Sequence, residues 1–201
     1  NMQLPKLVDL LNGVKGYRAA FNAVFPGEGV TPTTIGKAIA TFERGVVSAT
    51  APFDRWVAGD EKAIDESAKR GFVLFNTTAR CSACHSGWRF TDDSFHDIGL
   101  PDGDLGRGKL VEGVELLRFA FKTPSLRNVA QRAPYMHNGS IRSLEDVVHH
   151  YSTDFVFRPS KSPEMHRLNL SARDVQDIVA FMQTLTSADP EISAPDLPTK
   201  E

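Results

Sequence analysis

The chain has 201 residues, 41% of them apolar and 24% charged, with a formal net charge of −2. That apolar content suits a globular core in one domain or somewhat more than one, and is too high for a disordered chain. No Lys/Arg cluster points to nucleic acid, and no run of about 18 apolar residues offers a membrane span.

Helices lead the chain. Lys6 to Leu11 and Tyr17 to Phe25 form two short ones, split by Gly13 and Gly16, and Pro26-Gly27-Glu28-Gly29 reads as a turn. Thr31-Pro32 opens a longer helix, because proline is tolerated at the first helical position. Ile35, Ala38, Ile39, Phe42 and Val46 then recur at helical spacing as one apolar stripe, expected to pack into a core. Ala51-Pro52 is expected to close this region. A further helix over Asp60 to Phe75, carrying Ile64, Ala68, Phe72 and Phe75, delivers the chain to its most informative stretch.

That stretch is Cys81-Ser82-Ala83-Cys84-His85, which contains the only two cysteines. C-x-x-C-H is the attachment signature of c-type haem: two thiols form thioethers with the vinyl groups, and the histidine approaches iron from the proximal side. A structural disulfide or a thioredoxin-like pair needs no histidine after the second cysteine, and the second also needs a βαβ setting that is absent. A zinc site needs a second ligand pair, also absent. Thioether attachment takes place outside the cytoplasm, so a periplasmic or otherwise exported protein is expected. The opening Asn1-Met2-Gln3-Leu4-Pro5 does not read as a signal peptide.

Residues 86 to 123 are rich in Gly and Asp, and their first part keeps no helical or strand period. A long irregular loop in a compact domain calls for a role. With Trp88, Phe90, Phe95 and His96 in it, this one is expected to wrap a haem edge. Lys122 to Val129 opens another short helix, and Ala133 to Ser140 is a tight polar turn. Two capped helices close the chain. Ser143-Leu144-Glu145-Asp146 resembles a capping box and precedes Leu144, Val147, Val148 and Tyr151 on one face. Ser171-Ala172-Arg173-Asp174 repeats the pattern before the stripe Val175, Ile178, Val179, Met182 and Leu185. Residues 189–201 form an extended, weakly packed tail.

The sixth iron position decides the chemistry, since an electron-transfer haem usually fills it and a peroxidase haem leaves it open or weakly held. Met136, Met165, Tyr151 and the remaining histidines are candidates, while Met182 reads as core. Helix geometry turns Tyr151 inward and projects His149 and His150 toward solvent. Met165 sits in a polar loop, as a ligand methionine of a small cytochrome does. On the residues alone, Tyr151 and Met165 both stand.

Several motifs together resemble the bacterial di-haem cytochrome c peroxidase and MauG superfamily, over roughly residues 17 to 186. They are Ile39-Ala40-Thr41-Phe42-Glu43-Arg44, Pro52-Phe53-Asp54-Arg55, Cys81 to Gly87, Phe95-His96-Asp97-Ile98-Gly99, Leu105-Gly106-Arg107, Phe121 to Val129 and Ala133 to Ser140. The resemblance implies an all-α, cytochrome-c-like haem domain with long haem-wrapping loops. Residues 59–188 would form this C-terminal domain, and residues 1–58 would be helices from a preceding haem domain whose own attachment motif is absent here. It implies two haems, one reacting with hydrogen peroxide and the C-terminal one storing or relaying electrons. The second haem is expected upstream or in a partner segment, so the chain is expected to be a fragment. In classical peroxidases the C-terminal haem carries a methionine opposite its histidine, and in MauG-like members a tyrosine. The corresponding position here is Tyr151, which raises it above Met165.

The resemblance further implies that Arg107, Arg127 and His137 hydrogen-bond haem propionates. It also makes calcium a candidate, held partly by main-chain oxygens such as those of Arg132 and Pro134. Trp56 and Trp88 read as structural. The implied activity is peroxide-dependent oxidation of an electron donor or a protein substrate. The competing readings are a mono-haem electron-transfer cytochrome and a haem-free domain with a Cys81–Cys84 disulfide.

Overall fold

A computed structural model describes residues 2–189 and 196–198. The expected tail over 189–201 lies mostly outside the described residues. The chain divides into two compact units, one of residues 2–47 with 196–198 and the other spanning Ser48–Asp189. The fold is predominantly helical, with one minimal β-hairpin.

The first unit holds α1 (Leu4–Gly13), α2 (Lys15–Val24) and α3 (Pro32–Gly45). The first two helices part at Val14, which takes an extended backbone; Gly16 lies inside α2, and a Cβ there would stand 2.6 Å from the Cβ of Pro198. Thr31 caps α3 by accepting the Thr34 amide, and Thr34 Oγ1 accepts the Thr31 amide in return. The stripe on α3 departs from expectation. Ile35 is buried, but Ile39, Phe42 and Val46 are 53%, 60% and 50% exposed. Three short helices supply too little surface to cover that whole face, and no described element of this unit does so.

The second unit begins with α4 (Pro52–Val57). Pro52 starts a helix here rather than closing the region, because its fixed φ suits the first turn and Asp54 Oδ2 accepts the Ala51 amide. α5 spans Glu66–Asn76, shorter than expected: Asp65 accepts the Ala68 amide and fixes the start, leaving Asp60 to Ile64 in turns. α7 (Ala172–Gln183) has the expected capping box of Ser171 and Asp174.

α5 and α7 form the scaffold of the unit. A Cβ at Gly71 would lie 1.8 Å from the Asp177 carbonyl oxygen, so only glycine lets the two backbones approach this closely. Beside that contact the buried Asp177 carboxylate accepts two N–H bonds from Arg70, each 2.8 Å, and one from the Ser67 hydroxyl. Arg70, ahead of burial in effect, holds the Asp177 carboxyl below its ordinary range. The α7 stripe Val175, Ile178, Val179, Met182 and Leu185 is buried as expected. Phe181, fully enclosed, stands edge-on to Phe53, Phe75 and Phe90, with ring centroids 5.1–6.0 Å away, within the range that favours aromatic pairs.

Between α5 and α7 the chain is mostly irregular, as residues 86–123 suggested. Phe95–His96 (β1) and Phe121–Lys122 (β2) pair antiparallel. The expected helix after Lys122 is only a single tight turn over Val129–Gln131, which follows a left-handed Asn128. The Asn128 side chain is tied up in tertiary bonds to Ser187 and Asp189. α6 (Leu144–His149) is capped by Ser143, which accepts the Asp146 amide, and continues into a wider π turn over His150–Asp154.

Candidate haem centre

The attachment motif follows α5 directly. Arg80 takes a left-handed backbone (φ 53°), and Cys81–Ala83 then form one tight turn in which the His85 amide donates to the Cys81 carbonyl at 2.9 Å. The two cysteine side chains are not bonded to each other. Burial pushes the Cys81 thiol up to about 12 and the Cys84 thiol up to about 11. Both thiols and His85 line one largely apolar cavity of about 240 Å³. That is several times the roughly 30 Å³ share of a single water.

His85 Nδ1 lies 3.0 Å from the Phe90 carbonyl oxygen. A carbonyl only accepts, so Nδ1 carries the hydrogen and Nε2 keeps its lone pair. Burial, against the opposing bond to the Phe90 carbonyl, lowers the His85 pKa. This is the tautomer a metal ligand requires, fixed by a partner behind it. Phe90 can serve because its left-handed backbone (φ 53°) turns the chain under the histidine.

Tyr151 and Met165 line the same cavity, as do Met136 and Met182. Among the described residues the Tyr151 hydroxyl has no hydrogen-bond partner, whereas Tyr135 donates to the Val129 carbonyl at 3.2 Å. Tyr151 is half-buried and its hydroxyl is not among the enclosed unpaired atoms, so the phenol opens into the cavity. Burial, and next the nearby Cys81 and Cys84, push its phenol pKa upward. A phenolate there would need a compensating cation, which a haem iron would supply.

Two free thiols, a correctly oriented imidazole and an unpartnered phenol around one apolar cavity fit a covalently held haem. The fold and this site define a c-type haem domain.

Comparison with known proteins extends this. Residues 1–62 match the family described as di-haem cytochrome c peroxidase, and residues 68–186 match cytochrome c. The chain is 51% identical over 201 residues to the methylamine utilization protein MauG of Methylophilus methylotrophus, covering 98% of this chain and 60% of that protein. It is 50% identical to the protein of the same name from Methylorubrum extorquens, covering 98% and 57%. A crystal structure of a MauG-like protein associated with microbial copper homeostasis superposes with a TM-score of 0.73 at 30% identity, covering 92% of this chain and 62% of that one. The diheme peroxidase BthA from Burkholderia thailandensis shares the fold, with a TM-score of 0.74 at 23% identity, covering 94% of this chain and 60% of that one. The chain belongs to the MauG-like di-haem cytochrome c peroxidase superfamily, and it spans about 60% of the length of these curated relatives.

Other expected site residues are placed unevenly. His137 lines the cavity, with Nε2 3.0 Å from Asp102 and its ring stacked on Phe121 at 3.5 Å. Arg107 and Arg127 are not among the lining residues. The Arg107 guanidinium lies over the Phe95 ring at 4.7 Å. Arg127 is held by the Asp54 carboxylate at 2.7 Å and the Trp88 carbonyl at 2.8 Å. Trp56 packs on Phe53 and Phe72, but Trp88 is 67% exposed. His96 lines the cavity beside Cys84, and its Nε2 is bound to Asp92 Oδ2 at 2.7 Å.

Two residues depart from the sequence reading or escaped it. His150 was expected in solvent but is 4% exposed, with Nε2 3.0 Å from the Ile98 carbonyl. The π turn widens the helix by one residue and breaks the 3.6 period on which that expectation rested. Arg158 also lines the cavity, its guanidinium 3.9 Å over the Phe119 ring. Asp97 orients it: the buried carboxylate accepts from Arg158 Nε at 2.7 Å and Nη2 at 2.5 Å, from Ser160 Oγ at 2.7 Å, and from the Gly99 amide at 2.8 Å. Burial would raise the Asp97 pKa, but these bonds outweigh it and hold it below the ordinary carboxylate range. Asp97 lies in the recognised Phe95-His96-Asp97 run; nothing in sequence marked its partner 61 positions on.

Proposed function

We propose that this chain supplies the electron-storing haem c domain of a MauG-like, peroxide-using oxidoreductase. The observation that carries the reading is that Tyr151 lines the same cavity as Cys81, Cys84 and His85, whose Nε2 is left with its lone pair. The methylamine utilization proteins named MauG are about half identical to the chain and support the same reading.

Haem bound here supplies one-electron chemistry. Cys81 and Cys84 would tether it, and His85 Nε2 and Tyr151 Oη would be the groups that ligate its iron. An anionic oxygen ligand favours higher oxidation states of the metal than a thioether does. That suits a centre that gives up electrons to a peroxide-reacting haem elsewhere in the enzyme, and so the oxidation of an electron donor or protein substrate. The apolar lining excludes water and strengthens the interactions made inside. His137 and Arg158 bring hydrogen-bond donors to the rim for propionate groups. Because thioether attachment is extracytoplasmic, the protein acts outside the cytoplasm. No described helix is long and apolar enough to cross a membrane.

Replacing Tyr151 by Phe tests the assignment: the ferric absorption and resonance Raman spectra should change, and an unchanged spectrum removes Tyr151 as a ligand. The denatured mass of the natively produced protein counts thioether-bound haems. Two haems with peroxide-dependent turnover are expected. A single haem without turnover would favour the second reading, a mono-haem electron carrier ligated by Met165, which is buried and lines the same cavity.

A further inference from the structure

We infer that His150 is a positioning residue for Tyr151, acting through the hydrogen bond from its Nε2–H to the Ile98 carbonyl. The inference rests on the reading of Tyr151 as the distal ligand.

The Ile98 carbonyl accepts, so His150 Nε2 carries the hydrogen. The His150 ring stands nearly perpendicular to the Tyr151 ring, with centroids 5.6 Å apart. Ile98 belongs to the segment Asp97–Leu100, which is itself fixed from several directions. Asp97 binds Arg158 and Ser160, and the Gly99 carbonyl accepts the Val156 amide at 2.8 Å. The Leu100 carbonyl accepts from Arg158 Nη1 at 3.2 Å. Gly99 has a left-handed φ of 69°, and a Cβ there would lie 2.7 Å from the Val156 oxygen, so this segment and the chain after the π turn are pressed together.

His150 is the first residue of the π turn and Tyr151 the second. A π turn has poorer intrinsic geometry than an α turn and persists where surrounding contacts impose it. No protein group bonds the Tyr151 hydroxyl, so none pre-sets the aim of the ring at its tip. The root of the side chain must do so. On its far side the Leu168 amide donates to the Ser152 carbonyl at 2.9 Å, and on its near side His150 is bonded to the Ile98 carbonyl. Without the donor the turn can rewind toward α geometry and carry the phenol away from its aim.

The test uses the haem-loaded protein. One hydrogen bond of ordinary net strength corresponds to about a tenfold change in an equilibrium. His150→Met, which removes the donor at similar bulk, should lower the ratio of tyrosinate-ligated to unligated ferric haem about tenfold, read from the tyrosinate resonance Raman bands and the haem reduction potential. His150→Gln keeps a donor and should recover most of the wild-type signal. If His150→Met does not load haem, His150→Phe serves as the donor-free variant. A donor-free variant with haem attached and wild-type bands and potential overturns the inference. Tyr151→Phe separates the two readings. If it leaves the spectrum unchanged, the ligand assignment fails and this inference with it. If it changes the spectrum while the His150 variants do not, only the role of His150 fails.

Discussion

α3 and α7 carry apolar stripes of the same kind, and their fates differ. Val175, Ile178, Val179 and Met182 on α7 are buried against α5 and α6, with Phe181 enclosed by the rings of Phe53, Phe72, Phe75 and Phe90. Ile39 and Phe42 on α3, and Val46 just past its end, remain half exposed or more. Periodicity reports that a helix has an apolar face; whether that face is covered depends on elements elsewhere in the chain. Around α7 those elements are specific: a glycine that admits a second backbone, an Arg70–Asp177 clasp, and a packed group of aromatic rings.

The contrast can be broken by mutation. Phe181→Ala should destabilise the haem-loaded protein most, by about 4 kcal/mol, because the cavity is walled by rings that cannot close over it; urea unfolding gives the value. Arg158→Ala should cost about 3 kcal/mol by leaving the Asp97 carboxylate buried without its cation. The same ion pair sets a pH signature. Asp97 has a folded pKa below its unfolded value of about 3.9, so its contribution is complete above that value and is lost as pH falls through the folded pKa. Asp97→Asn should flatten the fall of the urea midpoint across that acid range. Gly71→Ala should cost about 2 kcal/mol, since its Cβ meets the rigid backbone of α7; a loss under a few tenths would show that the two helices can slide apart freely. Ser171→Ala removes the cap of α7 for about 1 kcal/mol. Phe42→Ser, on the exposed stripe, should stay within about 0.5 kcal/mol of wild type. A larger loss from that last change would mean that the α3 face is covered in the protein as measured.

Much of the site was legible in the chain. C-x-x-C-H is a contiguous motif whose chemistry follows from adjacent residues, and the inward turn expected of Tyr151 agrees with its place on the cavity wall beside Val147 and Val148. The Ser171 cap and the α7 stripe follow from local rules. What escaped was non-local. Arg158 gains meaning from Asp97, the burial of His150 from a π turn, and Gly71 from a helix more than a hundred residues later. Arg127 had a motif to recommend it, but Asp54 and the Trp88 carbonyl hold it away from the cavity lining. Sequence carries no mark of such partners.

The Asp97–Leu100 segment also bears on kinetics. Its bonds to Val156, Arg158, Ser160 and Ser162 each close a loop of roughly sixty residues, so chain entropy delays their formation. They are hydrogen bonds and one ion pair set beside the buried Leu100 and Phe155, and a region held that way opens more readily than the middle of a packed helix. Amide hydrogens of Val156 and Ser162 should therefore exchange with solvent faster than those in the middle of α7.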